Sequence, residues 1–107
     1  MKFKKDSFRN ARGSYSRALN ILCRKCEHIV VVYQKDGPGN LRRLYMDRIF
    51  APKELTDLQK KPINQIKILN CSNCKEILGT PYIYPKENRK AFRLYQDSVI
   101  KKIKKAN

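Results

Sequence analysis

The chain is 107 residues long and sets 25 lysines and arginines against nine acids, a net charge of +16. That length fits one domain, and so short a chain buries only about two-thirds of the surface its unfolded form exposes. No apolar run approaches the ~20 residues needed to span a bilayer, and the basic N-terminus lacks the apolar stretch of a secretory signal; the expected setting is the cytoplasm, a reducing compartment where structural disulfides are uncommon.

The charge is uneven. Residues 1–26 carry a net +7, residues 27–85 a net +3 and residues 86–107 a net +6. This pattern predicts a compact centre between two basic ends: an N-terminal extension over 1–20, disordered alone, a folded domain over 21–85 and a basic segment over 86–107. The extension has no hydrophobic period and interleaves Arg9, Arg12 and Arg17 with Phe8 and Tyr15. Arginine contacts phosphate bidentately and stacks on bases, as aromatic rings do. The arm therefore reads as a nucleic-acid contact that orders on binding, ahead of the plainer reading of a solvated tail.

Beyond Cys26, residues 27–35, EHIVVVYQK, are a β-branched strand, and residues 36–40, DGPGN, are a turn. Residues 41–50, LRRLYMDRIF, fit a returning strand slightly better than a helix. Residues 51–62 read as a loop with at most a short helix ended by Pro62. Residues 63–70, INQIKILN, alternate as a strand entering the second cysteine pair. Residues 76–86 leave it as another strand, in which Pro81 marks an edge, bulge or irregularity and Tyr82 and Tyr84 share a face. In the last segment, Phe92, Tyr95, Val99, Ile100 and Ile103 make a helical stripe; a hairpin around residues 96–98 is the alternative.

All four thiols lie in two pairs of equal spacing, Cys23-x2-Cys26 and Cys71-x2-Cys74, forty-four residues apart. Two such knuckles brought together form a tetrahedral four-sulfur cage for one structural Zn2+, which would supply folding energy that a thin core lacks. Iron in a rubredoxin-like cage uses the same ligands, but CRKC and CSNC lack the Pro and Gly usual in such knuckles. The single histidine, His28, reads as an ordinary strand residue. A closed four-thiolate site has no open position for activating water, so the metal argues for architecture rather than catalysis.

Cysteine pair, hairpin, cysteine pair and strand together resemble a zinc ribbon over roughly residues 21–85. The fold the resemblance implies is a small β-dominated ribbon of three or more antiparallel strands around one four-cysteine site, with a basic N-terminal arm and a basic C-terminal helix or hairpin. The long insert also suits related folds that hold zinc between two sheets, such as the Yippee-like group, some of which present a binding groove. Small ribosomal and ribosome-associated zinc proteins share the size, the charge and the staple.

The function expected from these features is binding of structured RNA, in preference to DNA, on the ribosome or near it. Arg9, Arg12, Arg17, Arg24 and Lys25 would meet phosphates from one side, and Lys101, Lys102, Lys104 and Lys105 from the other. Arg42, Arg43 and Arg48 would contribute from the body, with Tyr15, Tyr33 and Tyr82 as stacking candidates. The alternative is a protein-interaction module whose sheet groove takes a peptide or acidic partner. An enzyme is not expected: the acids are scattered, and no P-loop, Ser-His-Asp set or HExxH occurs. A nuclease using Asp47 and Glu87 is the one catalytic alternative.

Overall fold

The computed structural model describes residues 2–105; Met1, Ala106 and Asn107, at the tips of the two expected basic segments, lie outside it. A short helix, α1 (Ser7–Ala11), precedes eight strands: β1 (Ser16–Cys23), β2 (Ile29–Asp36), β3 (Arg43–Tyr45), β4 (Ile49–Ala51), β5 (Leu69–Asn70), β6 (Ile77–Tyr84), β7 (Arg89–Leu94) and β8 (Val99–Ile103). They form two four-stranded sheets, ordered β4-β2-β1-β8 and β3-β7-β6-β5, with every pairing antiparallel.

Both sheets are built on one plan. β1 runs into the first cysteine pair and β2 leaves it, with Ile21 opposite Val31 and Leu22 opposite Ile29 across a register shift. β5 and β6 repeat this around the second pair, with Leu69 opposite Gly79 and Asn70 opposite Ile77 across the same shift. Each residue of the second hairpin follows its counterpart by the interval that separates Cys71 from Cys23. A bulge of this kind bends and twists a hairpin, here just before its thiols.

The edge strands are exchanged between the sheets. β3 and β4 are consecutive, joined by the 3-10 turn Met46–Arg48, yet β3 pairs with β7 in one sheet and β4 with β2 in the other. β7 and β8 likewise lie in different sheets. Residues 41–50 are therefore extended as expected, but as two short strands around a crossing. The C-terminal helix is corrected: Val99–Ile103 is a strand paired with Leu19–Cys23, and no hairpin joins it to β7. The apparent helical stripe joins Phe92 of one sheet to residues of the other, so its period has no single surface to face.

At the N-terminus, β1 begins at Ser16, so residues 16–20 belong to the sheet rather than to an arm. The Asp6 side chain caps α1 by accepting from the Arg9 amide at 3.1 Å. Between the sheets, Pro62 opens a 3-10 turn over Ile63–Gln65 and only Leu69–Asn70 pairs as a strand. That brevity explains Pro81. From Thr80 onward β6 has only β7 beside it, so a residue without an amide proton breaks no ladder.

Ile21, Val31, Leu44, Met46, Leu78 and Phe92 pack fully buried between the sheets, joined by Leu58 and Ile66 from the connection, and Cys23 and Cys71 belong to the same cluster. The interior is thus continuous, and the thiols close one end of it rather than standing in for it. Two glycines are required by close approach. A Cβ on Gly37, at φ +71°, would lie 2.5 Å from the Arg12 carbonyl oxygen, and one on Gly79 would lie 2.6 Å from that of Arg93. Among the described residues no helix is long and apolar enough to cross a membrane.

Candidate metal centre and basic groove

The two knuckles have one backbone geometry. The Cys23 amide donates to the His28 carbonyl at 2.9 Å and the Glu27 amide to the Cys23 carbonyl at 2.8 Å; the Cys71 and Lys75 amides repeat both bonds at 2.9 Å. Glu27 and Lys75, each following the second cysteine, both sit in the left-handed region at φ 61° and 69°. This turn brings each pair of thiols to one point.

The four sulfurs all lie within 4.8 Å of one another. Cys23 Sγ is 3.6 Å from Cys74 Sγ, and Cys26 Sγ is 3.6 Å from Cys71 Sγ. Every cysteine is free, and a disulfide would need ~2.05 Å. A tetrahedral ion with metal–sulfur bonds of ~2.3 Å spaces its ligands about 3.8 Å apart, so the donor set fits one metal ion. The electrostatics agree. The Cys26 thiol is pulled down to about 6, first by the Asn73 side chain and then by the His28 amide. The Glu76 amide pulls Cys74 down as well, but burial and the three neighbouring sulfurs outweigh it and push that thiol up to about 11. Four sulfurs this close resist full ionisation until a cation compensates them. Outside the cage, Lys25 Nζ meets Glu76 at 3.2 Å and His28 Nε2 lies 3.2 Å from Ser72 Oγ, each link joining one knuckle to the other.

The second feature is the outer face of the sheet β3-β7-β6. Its register puts Arg43, Arg93 and Thr80 in one row and Tyr45, Ala91 and Tyr82 in the next, with Arg89 and Tyr84 paired beyond. Five cation–π contacts form among the described residues, where ordinary density predicts one or two in a chain this size. All five involve an arginine or a ring of this face. The face has two ends.

At the first end, acids answer the arginines. Arg89 is sandwiched between the rings of Tyr45 at 3.7 Å and Phe8 at 4.1 Å, and donates to both carboxylate oxygens of Asp47, at 2.6 and 3.2 Å. Arg12 stacks on Tyr45 and forms a bidentate pair with Glu87, at 2.6 and 2.8 Å. Arg48, only 1% exposed, donates to Asp36 at 2.9 Å and to Asp6 at 2.6 Å. Gln34 and Ser16 donate to the same Asp36.

At the other end lies a groove of about 860 Å³ lined by Arg42, Arg43, Arg93, Tyr82, Tyr84 and Tyr95 among others. Arg43 lies 4.2 Å over Tyr84 and donates to the Tyr82 hydroxyl at 2.8 Å, while Arg93 lies 4.4 Å over Tyr82. Among the described residues no carboxylate pairs with these three arginines, and Asp97 is the one acid lining the groove. The wall at residues 95–98 is held by the Arg24 amide, which donates to the Ser98 carbonyl at 3.0 Å, and by the Tyr95 amide and Ser98 hydroxyl, which both donate to the Leu78 carbonyl. Beyond Val99 the chain continues into β8 with Lys101, Lys102 and Lys105 exposed and Lys104 half-buried.

The expected basic residues therefore divide. Arg42 and Arg43 line the groove, Arg24 sits in the first knuckle with its amide on Ser98, and Lys101 and Lys102 lie on β8 with Lys104 and Lys105 just past its end. Lys25 is exposed but paired to Glu76. Arg9 donates to Ser16 at 2.9 Å and Arg12 is committed to Glu87. Arg17 is exposed and, with Lys101, contributes to lowering the value of Lys35, after burial of that lysine. Arg48 is corrected: it is an interior arginine and presents nothing to a partner. Tyr33 is also corrected, being buried with its hydroxyl accepting from the Tyr45 amide at 2.9 Å. Tyr15 is exposed and Tyr82 half-buried under Arg93. Of the two acids weighed for a nuclease, Asp47 binds Arg89 and Glu87 binds Arg12. Arg93, Tyr84 and Tyr95 were not among the expected contacts; the two-residue spacing of Arg89, Ala91 and Arg93 was their sequence signal. Comparison with known proteins finds no matching family model, no matching curated protein and no matching solved structure.

Proposed function

We propose that this chain is a zinc-stabilised nucleic-acid-binding protein that contacts structured RNA through the groove and the basic strand beyond it. The observation that carries the reading is the groove's arginine set: Arg43 and Arg93 opposite each other in the strand register, stacked on tyrosines, with Arg42 lining the groove beside them, all three left without carboxylate partners among the described residues beside a face where arginines have them. Such a row matches phosphates in position and rings in stacking. Four cysteine sulfurs within 4.8 Å of one another support a single metal ion, which we read as zinc; its part is to hold together the ends of the two sheets.

Binding is tested with the zinc-loaded full chain and labelled RNA hairpins between 50 and 200 mM salt. Contacts to about six phosphates would weaken binding by roughly a thousandfold over that range, and Arg43→Ala with Arg93→Ala would flatten the salt slope. Salt-independent capture of an acidic peptide, with no RNA bound at 50 mM, would establish the protein-interaction alternative instead. Native mass spectrometry, expected to find one zinc per chain, tests the metal.

A further inference from the structure

We infer that the groove seats an unpaired base on the ring of Tyr95, so that its partner is a single-stranded or looped stretch and not a regular duplex. The inference rests on the nucleic-acid reading above and adds the form of nucleic acid taken. An exposed tyrosine at a turn needs no ligand to account for it; Tyr95 is set apart by what surrounds it. The other tyrosine rings of this face are engaged: Tyr82 lies under Arg93, Tyr84 under Arg43 and against the edge of Tyr45, and Tyr45 under Arg12 and Arg89. Among the described residues no arginine and no aromatic ring stacks on Tyr95, and it is 51% exposed within the groove.

Its backbone is nevertheless fixed. The Tyr95 amide donates to Leu78 at 3.0 Å and its carbonyl accepts from Ser98 at 3.2 Å. A ring on a pinned backbone loses little freedom when a base covers it. Cations flank it: Arg93 lies two residues before, and Arg42 is held alongside because its carbonyl accepts from the Leu94 amide at 3.2 Å. A phosphate can meet either guanidinium while its base lies on the ring. Asp97, beyond the ring, repels phosphate and keeps the strand on the arginine side. A duplex offers the phosphates but not the base faces, which are stacked on each other, whereas unpaired bases stack freely on aromatic side chains.

The test uses the zinc-loaded full chain, a labelled oligoadenylate RNA, the same strand annealed to its complement, and three variants, by fluorescence anisotropy at 100 mM salt. The single strand is expected to bind about tenfold tighter than the duplex. Tyr95→Ala should remove most of that preference, about tenfold, as loss of one stacked base does, while Tyr95→Phe keeps it and Arg93→Ala weakens both forms. Equal affinity for strand and duplex, or a Tyr95→Ala protein that binds as the parent does, would overturn base seating and leave phosphate binding intact. Absence of binding to either form would overturn the nucleic-acid reading itself. Melting temperature and zinc content, expected to be unchanged in Tyr95→Ala, show that the variant is folded.

Discussion

The two ends of one sheet face carry arginines stacked on tyrosines, and they differ in a single respect. At one end Asp6, Asp36, Asp47 and Glu87 pair with Arg12, Arg48 and Arg89; at the other, Arg42, Arg43 and Arg93 have no such partners among the described residues. The first end is drawn inward, with Arg48 and Arg89 buried at 1% and 4% exposure. The second stays open around a groove. Ring stacking holds Arg12 and Arg89 at the first end and Arg43 and Arg93 at the second, and the presence of acids decides which of them are tied into the fold by ion pairs.

Removing the metal should be the largest perturbation, and it should strike the open end hardest. Small structural zinc sites contribute ~10 kcal/mol or more, comparable to the whole stability of a domain this size. The groove wall at residues 95–98 hangs from the first knuckle through the Arg24–Ser98 bond, while the closed end has its own ionic lattice. Chelation or Cys71→Ser is therefore expected to expose the Ser98 and Tyr95 region to amide hydrogen exchange first, with global unfolding following. Equal or earlier exchange around Arg89 would mean that the closed end depends on the metal just as directly.

Arg48→Met comes next. It keeps volume but strands Asp36, whose side chain is 4% exposed, and breaking a buried pair from one side costs ~3–5 kcal/mol. Urea unfolding measures it, and adding Asp36→Leu should recover part of the loss. A change below about 1 kcal/mol would show that the lattice contributes little to the difference between the ends.

Arg48 also marks the limit of what could be read from sequence. It lies five residues from Arg43 in one stretch, KDGPGNLRRLYMDRI, and nothing local separates their roles. The distinction comes from Asp6 and Asp36, which reach Arg48 only after the chain has crossed between sheets. The thiols were legible because a metal ion imposes spacing on the chain directly. β2 was legible from its four β-branched residues. The crossings at residues 46–48 and 95–98 were not, because an exchanged edge strand takes its partner from distant sequence, and three-residue strands such as β3 and β4 leave no period. The stretch KDGPGNLRRLYMDRI supplies Asp36, Tyr45, Asp47 and Arg48 to the closed end, so its pattern records the lattice.

Glu87→Gln separates charge from shape within the closed end. The Arg12 hydrogen bond heads the influences that hold the Glu87 carboxyl below its ordinary 4.5. For Asp6, burial pushes upward but is outweighed by Arg48, by the Arg9 amide and by the field of Arg89, which leaves it below 3.8. A carboxylate with a depressed folded value stabilises the protein above its unfolded value and loses that contribution as pH falls through the folded one. Glu87→Gln should thus cost about 1.5 kcal/mol at pH 7, and the gap from the parent should close as pH drops below 4.5. A gap that persists in acid would assign the effect to packing.

The smallest effect on stability is expected from the open end, and that smallness is its sharpest test. Arg93→Ala removes an exposed guanidinium from the Tyr82 ring, a contact worth ~0.5–1 kcal/mol at such sites, and leaves no buried acid behind. Arg43→Ala forfeits one ring contact and one hydrogen bond to a phenol, and should stay within about 1.5 kcal/mol. If these two arginines serve a partner, their replacement lowers RNA affinity far more than melting temperature, whereas at Arg48 and Arg89 the order reverses. A loss of 3 kcal/mol or more at Arg93 would make the open end a second structural lattice built of stacking alone. The groove would then need another reason to stand open.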